Sequence, residues 1–365
     1  MLIRWICEKC NKKWIYPITR CVYCKGEIKK IVSKKFKVIG ITKVNIPNPY
    51  HPIVPYYVLL LEDEYGNRMP KKTMKEFRIG DIYEWKPAKT EHAVAIVKVK
   101  YDVGEAVKRA IELIGDVEVN KDTKILIKPS VIEAAYPYRG ITTNPKVIGG
   151  VIDYLIEKGA KKYNITIAEK IDNEKGLYKS GLTKFSEYNL VNIRDTDFIE
   201  KYYQGVSFEI TRLVYENDLI INVPVLKTHL FLGIAGALEN MTRIVSDKTY
   251  KELQKVAIKA IAYLHKVIPN YVTIGDATIG LQGNGPADYG EPAFLNMVLA
   301  SKDPVAHDKV FQEIGLLPQA KCVEYAGKLG VGKSELDEIE IVGEELKACQ
   351  RELKPPIGSR LIKHG

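Results

Sequence analysis

Four of the six cysteines form two closely spaced pairs near the start of the chain, Cys7 with Cys10 and Cys21 with Cys24. Two thiolates three positions apart can bind one metal ion from a tight turn. Two such pairs complete a tetrahedral site of four sulfur ligands, which is the closed geometry of structural Zn2+. Iron on the same four ligands remains an alternative. The spacing therefore predicts a structural metal site, because a closed site leaves no open position for catalysis.

A second set of polar side chains follows the apolar runs of the later sequence, at points where parallel strands would end. Ligands bind outside the carboxyl ends of parallel strands, so these side chains are candidates for a binding site. Helix capping is the alternative for Thr143 or Asn144 before Pro145 and for Asp303 before Pro304. The predicted ligand-binding residues are Lys128, Thr142, Thr143, Glu169, Asn222, Asn240, Gly283, Gly285, Asp303 and Asp308.

The residues with the best chemistry for catalysis are Lys227, His229, Glu239 and Asp276. Lys227 and His229 come two residues apart after an apolar strand, so both could address one ligand. The lysine would supply a fixed charge or a nucleophile, and the histidine would act as an acid, a base or a ligand. Carboxylates clustered with His229 would form either a proton-transfer pair or a second, divalent metal site. A surface loop is the alternative for the Lys227–His229 segment.

Composition limits where and how such sites can be built. The chain has 365 residues, of which 46% are hydrophobic and 27% charged. It contains no run approaching the roughly 18 apolar residues of a membrane span, and its start lacks the apolar centre of a secretory signal. We therefore expect a cytoplasmic protein without a membrane partner. The abundance of Lys, Ile and Tyr resembles that of archaeal and other thermophile proteins.

The net charge of +10 belongs to the beginning of the chain, since residues 1–100 carry most of the excess of Lys and Arg. Basic and aromatic residues surround the cysteine pairs there. Such a surface suits a nucleic-acid backbone with stacked bases, and ordinary packing aromatics on a solvated face are an equally good explanation.

Periodicity divides the chain into four parts. Residues 1–32 are predicted as a zinc ribbon, residues 33–92 as an OB-like β-barrel of about five strands, and residues 349–365 as a loosely held tail. Residues 93–348 alternate strands with helices, which indicates an α/β domain with a mostly parallel sheet and flanking helices. Its predicted helices include 103–114, 145–158, 176–188, 251–267 and 304–314, and its predicted strands include 93–100, 124–128, 164–168, 219–223, 272–276 and 295–300.

Several motifs in this region resemble the domain family of unknown function DUF362. They are Lys128-Pro129, Thr142-Thr143-x-Pro145, the run from Asp218 to His229, Gly236-Ala237-Leu238-x-Asn240, Gly283-x-Gly285-Pro286, Ser301-x-Asp303-Pro304-Val305-Ala306, Gly330-Val331-Gly332 and the run from Ile339 to Gly343. They cover about residues 94–345 in the order of the family. The resemblance implies a fold and a set of motif positions, and it implies no particular reaction.

Two positions depart from the family pattern. Ser130 stands where the family usually has Asn, and Glu239 stands where it usually has Lys, which reverses a charge within the predicted site. The run from Asp218 to Asn240 is also faintly similar to the nickel-pincer lactate racemase family, in which a lysine ten residues after the histidine carries the cofactor. Glu239 occupies that place here, so nickel is not predicted.

The beginning of the chain resembles the zinc-ribbon and OB-fold proteins of the DUF35 family, which are associated with acyl-CoA enzymes. The resemblance implies a docking or acyl-CoA-handling unit. Taken together, these features favour an enzyme that binds an anionic small molecule, phosphorylated or CoA-linked, at the strand ends. The alternatives are a nucleic-acid-binding protein and a non-catalytic scaffold for an acyl-CoA enzyme.

Overall fold

The computed structural model describes residues 2–255, 257–285 and 289–357; Pro286 of the glycine-rich motif and residues 358–365 of the predicted tail lie outside this range. The predicted ribbon is a three-stranded antiparallel sheet in the order β2-β1-β3. Its strands are β1 (Leu2–Cys7), β2 (Lys13–Trp14) and β3 (Ile28–Ser33). The cysteine pairs lie in the turns and strand ends of this sheet.

The next segment forms a four-stranded antiparallel sheet in the order β6-β5-β4-β7, where the sequence predicted about five strands. Its strands are β4 (Lys35–Val44), β5 (Tyr56–Glu62), β6 (Arg68–Thr73) and β7 (Ile82–Glu84). The predicted turn around Gly66 joins β5 to β6, and Gly66 adopts a positive φ of 73°. Leu2 packs into the core of this sheet with Phe36 and Leu59, so the ribbon and the sheet form one front module.

The α/β domain is built on one large sheet, whose main path among the described residues runs β11-β10-β9-β14-β17-β19-β8-β20. The strands on this path are β8 (Ala93–Lys98), β9 (Ile125–Lys128), β10 (Ile165–Glu169), β11 (Asn189–Asn192), β14 (Leu219–Asn222), β17 (Val272–Gly283), β19 (Met297–Ser301) and β20 (Glu340–Gly343). The neighbours from β11 to β17 are parallel, as predicted. β19 is antiparallel to both β17 and β8, which the alternating pattern did not reveal.

Short strands extend the sheet or stand beside it. They are the hairpin β12 (Phe198–Tyr203) and β13 (Val206–Thr211), and β15 (Val225–His229), β16 (Gly233–Ala235) and β18 (Gly290–Ala293). β15 pairs with β16 and with the part of β17 between Asp276 and Leu281. The chain therefore leaves β14 at Asn222 and joins the same sheet again at Val225, after only two residues. This return places Lys227 and His229 at the edge of the sheet where β14 ends.

Helices cover both faces of the sheet. They are α1 (Val103–Leu113), α2 (Pro145–Glu157), α3 (Glu174–Ser180), α4 (Leu213–Glu216), α5 (Ala237–Asn240), α6 (Asp247–Lys255), α7 (Ala257–Leu264), α8 (Pro304–Ile314), α9 (Lys321–Lys328) and α10 (Leu346–Cys349). α1 and α2 pack on one face, and α7, α8 and α9 pack on the other. No helix in the described part of the chain combines the length and apolar character needed to cross a bilayer.

The predicted helix boundaries are accurate where capping residues mark them. The side chain of Asn144 caps α2 by accepting from the amide of Lys146, and Pro145 is the first helical residue. Asp303 caps α8 in the same way, with Pro304 following. Within the predicted helix 251–267, the described residues up to Leu264 are helical, and α6 starts four residues before the predicted helix, at Asp247.

A buried ion pair joins the front module to the α/β domain. Lys71 on β6 pairs with Glu344, which follows β20, and their side chains are 5% and 3% exposed. The ammonium group of Lys71 also lies 4.8 Å from the ring centroid of Trp85. Next to this pair, the carboxylate of Glu345 accepts from the amide of Met74 at 2.7 Å. The contact fixes the front module against the sheet edge formed by β20 and β8.

We predict that breaking this pair on one side destabilises the protein. Lys71→Met should lower the free energy of unfolding by roughly 3–5 kcal/mol, because Glu344 would keep a buried charge without its partner. Adding Glu344→Gln should recover much of that loss, since both charges are then absent. Urea denaturation of the three proteins measures the effect.

Lys162→Met is the matched control, because its partner Glu187 and Lys162 itself are both more than half exposed. That variant should unfold close to the wild-type midpoint, since exposed pairs contribute little. Equal losses for Lys71→Met and Lys162→Met would contradict the buried role of the Lys71 pair.

Candidate functional site

Three neighbouring parallel strands end in polar side chains at one edge of the large sheet. Lys128 ends β9, Glu169 ends β10, and Asn222 ends β14. β9 lies between the other two, and Lys128 is directly opposite Asn222 in the register. All three side chains are fully buried. The structure thus brings together three residues that the sequence predicted at strand ends.

Lys128 is held in place by three hydrogen bonds from its ammonium group. The acceptors are the Glu169 carboxylate at 2.7 Å, the Pro129 carbonyl at 3.0 Å and the Asn240 side-chain oxygen at 3.2 Å. A lysine ammonium has three protons to donate, so all of them are used. Burial lowers the pKa of Lys128 to about 8, although the charge of Glu169 opposes this shift. Lys128 therefore acts as an internal anchor and not as a free nucleophile.

Asn240 closes the network from the chain segment that covers the strand ends. Its amide nitrogen donates to Asn222 Oδ1 at 2.7 Å, and Asn222 donates in turn to the carbonyl of Ala237 at 2.9 Å. Ala237 and Asn240 are the first and last residues of α5. The two asparagines therefore fix the position of α5 above the sheet edge, and Glu239 lies on that helix.

Arg243 is a site residue that the sequence analysis missed. Its Nε donates to Glu169 at 2.9 Å, and its Nη2 donates to the carbonyl of Lys170 at 3.0 Å. Burial raises the pKa of Glu169, but the charges of Lys128 and Arg243 outweigh this effect, so the pKa lies below its usual value. The sequence contained one signal for Arg243. It comes three residues after Asn240, and this spacing places both side chains on one face of a helical turn.

Lys227 and Glu239 face each other beside this network. Lys227 Nζ lies 3.6 Å from Glu239 Oε2, and the side chains are 1% and 14% exposed. This is an ion-pair distance but exceeds a normal hydrogen bond. Among the residues that the structure describes, no hydrogen bond from the Lys227 ammonium is found. Lys227 thus differs from Lys128, because its protons remain available to a ligand.

The ring of His229 is oriented by the backbone that follows it. Its Nδ1 accepts from the amides of Phe231 at 3.2 Å and Leu232 at 3.3 Å. In the neutral ring the proton then resides on Nε2, which becomes a donor. Burial lowers the pKa of His229, while the Glu239 carboxylate opposes that shift and Lys227 adds to it. His229 is therefore neutral near pH 7 and offers an N–H group.

Glu239 is the ionised carboxylate of this group. Burial raises its pKa, but the charge of Lys227 and the neighbouring cations outweigh that effect, so the pKa of Glu239 lies below its usual value. Glu239 carries a negative charge at neutral pH and can accept a proton. It is the position at which the family usually has a lysine.

These groups border a cleft of about 460 Å³. The polar lining residues are His229, Glu239, Thr242, Arg243, Tyr250 and Gln254. The apolar lining residues are Ile132, Phe231, Leu232, Leu253, Ala257 and Ile261. The cleft has the size of many small-molecule sites, and Lys128 and Glu169 lie behind its polar wall.

The predicted cluster of Asp276, Asp303 and Asp308 with His229 is wrong. Asp276 accepts from the amide of Asn144 at 2.7 Å and from the hydroxyl of Thr278 at 2.7 Å. Asp303 and Asp308 each receive two backbone amides at the starts of α8 and α5. Burial raises the pKa of Asp276, and hydrogen bonds from Thr278 and Asn144 oppose this. The three carboxylates are committed to separate backbone segments because short acidic side chains satisfy helix starts.

The remaining predicted ligand residues lie behind or beside the cleft. Thr143 accepts from the amide of Ser130 and donates to the carbonyl of Val223, both at 2.7 Å, so it connects two strand-end loops. Thr142 is buried next to it, and its hydroxyl has no partner among the described residues. Both threonines remain predictions as ligand contacts.

The glycine-rich loop supports the strand that carries Lys227 and His229. The hydroxyl of Thr228 donates to the carbonyl of Gly283 at 2.7 Å. A side chain at Gly285 would place its Cβ 2.5 Å from the carbonyl oxygen of Thr228, so only glycine fits this approach. In the described structure these glycines contact β15, and their role in ligand binding remains a prediction.

The four cysteines of the front module form a separate site. Their sulfur atoms all lie within 4.8 Å of one another, with Cys7 and Cys24 3.3 Å apart and Cys10 and Cys21 3.5 Å apart. Such spacing fits one metal ion bound by four thiolates. In the part of the chain that the structure describes, this is the one group of three or more potential ligands close enough to share an ion.

Three known proteins are similar to parts of this chain. The thylakoid-associated protein sll1697 of Synechocystis is 23% identical over 225 residues, which cover 59% of this chain and 70% of that protein. The lactate racemase apoprotein from Thermoanaerobacterium thermosaccharolyticum matches 65% of this chain and 62% of its own length, with 16% identity and a TM-score of 0.42. A structure titled Ltp2-ChsH2(DUF35) aldolase matches 24% of this chain and 74% of its own, with 18% identity and a TM-score of 0.20.

One family model matches the part of the chain that contains the cleft. It covers residues 125–313, slightly more than half of the sequence, and therefore includes all three polar strand ends. The chain thus belongs to the family described as a domain of unknown function, DUF362.

Proposed function

We propose that the α/β domain is an enzyme that binds a small anionic molecule in the cleft and transfers a proton on it. The observation that carries this proposal is the arrangement of Glu239 and His229 on the polar wall of the cleft, with the buried Lys227 ammonium 3.6 Å behind the Glu239 carboxylate. Lys227 supplies a cation with free protons, Glu239 an ionised carboxylate and His229 a neutral N–H donor.

Charge balance supports an anionic ligand. The site contains three cations, Lys128, Lys227 and Arg243, and two carboxylates, Glu169 and Glu239. Buried charges are costly unless they are compensated. A ligand with one negative charge would neutralise the excess and would accept hydrogen bonds from Arg243 and His229, which line the cleft.

The two titratable groups at the cleft suit different roles in a proton transfer. Glu239 would accept the proton, because it is ionised. His229 would donate a hydrogen bond from Nε2 to the oxygen on which charge develops, because its Nδ1 is occupied by backbone amides. Asp276, which the sequence analysis also named as catalytic, is left out of this proposal because its carboxylate accepts hydrogen bonds from Asn144 and Thr278.

We predict that Lys227→Met weakens the binding of acetate and of inorganic phosphate by roughly 10- to 100-fold, the effect of removing one charge within about 10 Å of the ligand at an effective dielectric constant of about 20. Glu239→Gln should instead tighten binding of both anions, because it removes a repelling charge. Isothermal titration measures both.

In deuterium oxide, the wild type should exchange the C3 protons of 2-oxobutanoate, as followed by NMR, and Glu239→Gln should not.

The control is Lys121→Met, an exposed lysine that precedes β9 at the opposite edge of the sheet. It should bind both anions like the wild type. Equal binding by Lys227→Met and Lys121→Met would refute the anion site. If the protein binds anions but exchanges the C3 protons of no acid in a series of 2-oxo acids, the enzymatic part of the proposal is refuted. The cleft would then be a binding site without catalysis.

We predict a second effect, which depends on pH. Anion affinity should fall as the pH rises through about 8, because the pKa of Lys128 is lowered to that value and its charge is then lost. The loss should be roughly tenfold, the effect of one charge about 10 Å away at an effective dielectric constant of about 20. His229, with its lowered pKa, stays neutral over this range, and Glu239 stays ionised. Acetate titrations between pH 7 and 9.5 test this, and a constant affinity would contradict it.

For the front module we propose a structural zinc ion bound by Cys7, Cys10, Cys21 and Cys24. The compact sulfur group and the close approach of Gly26, whose Cβ would lie 3.0 Å from Cys7 Sγ, support a closed site. Elemental analysis should find one zinc per chain in the wild type and none in the Cys7→Ser/Cys10→Ser variant. Iron in place of zinc, or zinc retained by the variant, would contradict this assignment.

The basic surface of the ribbon supports a second candidate function for the front module, nucleic-acid binding. Tyr23 is 67% exposed, and the ammonium group of Lys12 lies 3.9 Å from its ring centroid. An exposed aromatic ring beside a lysine is a usual platform for a stacked base. Binding of single-stranded RNA that weakens steeply with salt would support this function. Co-purification with an acyl-CoA enzyme would instead favour the docking unit that the DUF35 resemblance implies. Both proposals for the front module include a cytoplasmic location.

A further inference from the structure

The cleft has two chemically different walls. The polar wall carries the charged side chains of Glu239 and Arg243 and the ring of His229. The second wall is apolar and consists of Leu253 from α6, Ala257 and Ile261 from α7, Phe231 and Leu232 from the loop after β15, and Ile132 from the segment after β9. An inorganic anion alone would leave the second wall in contact with water.

Building on the proposed anion site, we propose that the ligand of this cleft is a monocarboxylic acid with an apolar body. Its carboxylate would meet Arg243 and the Nε2–H of His229 on the polar wall, with the charge of Lys227 close behind, and its hydrocarbon part would pack against the apolar wall.

The charge of the site favours a carboxylate over a phosphate. Three cations face two carboxylates, so one negative charge completes the balance. A phosphate monoester carries about −1.5 to −2 charges at pH 7. Its second charge would lie near the ionised Glu239 without a partner. A carboxylate brings only the single charge that the site lacks.

The mouth of the cleft contains an aromatic side chain that has little contact with the rest of the protein. Phe231 is 80% exposed, although it lies only two residues after His229. By contrast, Leu232, Leu253 and Ile261 on the same wall are less than 7% exposed. A bound hydrocarbon chain would cover the ring of Phe231 and remove apolar surface from water. This residue would therefore contribute to the binding of long acids and not of short ones.

The experiment compares acetate, butanoate, hexanoate and octanoate by isothermal titration at pH 7. Affinity should increase with chain length, by up to about fourfold per methylene group, the value for complete burial. Octanoate should bind more tightly than octyl phosphate. Phe231→Ala should weaken octanoate binding by roughly tenfold, because the hydrocarbon chain would no longer be covered by the aromatic ring, and it should leave acetate binding unchanged.

Phe294→Ala is the matched control, because Phe294 is also exposed, at 59%, and is not among the residues that line the cleft. Neither exposed phenylalanine supports the core, so both variants should fold. If acetate binds in a Lys227-dependent manner but octanoate binds no better, the apolar ligand is refuted and the anion site stands. Tighter binding of octyl phosphate refutes the carboxylate class. If no acid binds and Lys227→Met changes nothing, the proposed function fails as well.

Discussion

The ion pair between Lys128 and Glu169 is the constraint on which the site depends. Both side chains are fully buried at the ends of adjacent strands, where an unpaired charge would cost several kcal/mol. Each partner therefore needs further hydrogen bonds, and these come from Asn240, Arg243 and the carbonyl of Pro129. Asn240 and Arg243 belong to the segment that crosses above the strand ends. Compensation of two buried charges thus determines where α5 lies, and α5 carries Glu239.

The two buried lysines of the site show how similar burial can have different consequences. Lys128 donates three hydrogen bonds, so its charge is used within the protein. Lys227 is equally buried but reaches its carboxylate partner only at 3.6 Å. A cation whose donors are incompletely used is a better ligand contact than one that is saturated, because binding then costs no existing hydrogen bond. This difference in hydrogen bonding distinguishes Lys128, whose charge supports the network, from Lys227, whose charge is left for a ligand.

Sequence periodicity predicted the parallel strands and the polar residues that end them. Lys128, Glu169 and Asn222 lie together because neighbouring parallel strands end at the same edge, a rule that needs no tertiary information. The same rule failed for Asp303, which follows β19. This strand runs antiparallel to its neighbours and therefore places Asp303 at the other edge of the sheet. Arg243 was missed because no strand end or motif marks it, and its role appears only when the turn after α5 covers Glu169. The cap of α8 was recognised at Asp303, and the cap of α2 was narrowed to Thr143 or Asn144, because Pro follows in both cases; the structure uses Asn144.

The loop around Gly332 shows why spacing alone is weak support for an anion site. The segment from Gly327 to Ser334 has the G-x-x-x-x-G-K-S pattern of phosphate-binding loops, but it begins in the last turn of α9 and not after a strand. The amide of Lys333 donates to the carboxylate of Asp303 at 2.9 Å. A Cβ at Gly332 would lie 2.0 Å from the same carboxylate, so glycine is required there for an internal contact. In this loop the carboxylate of Asp303 already occupies the place of an anion. The site at the cleft, by contrast, contains one more cation than carboxylates. This unbalanced positive charge is the physical reason to assign the ligand to the cleft.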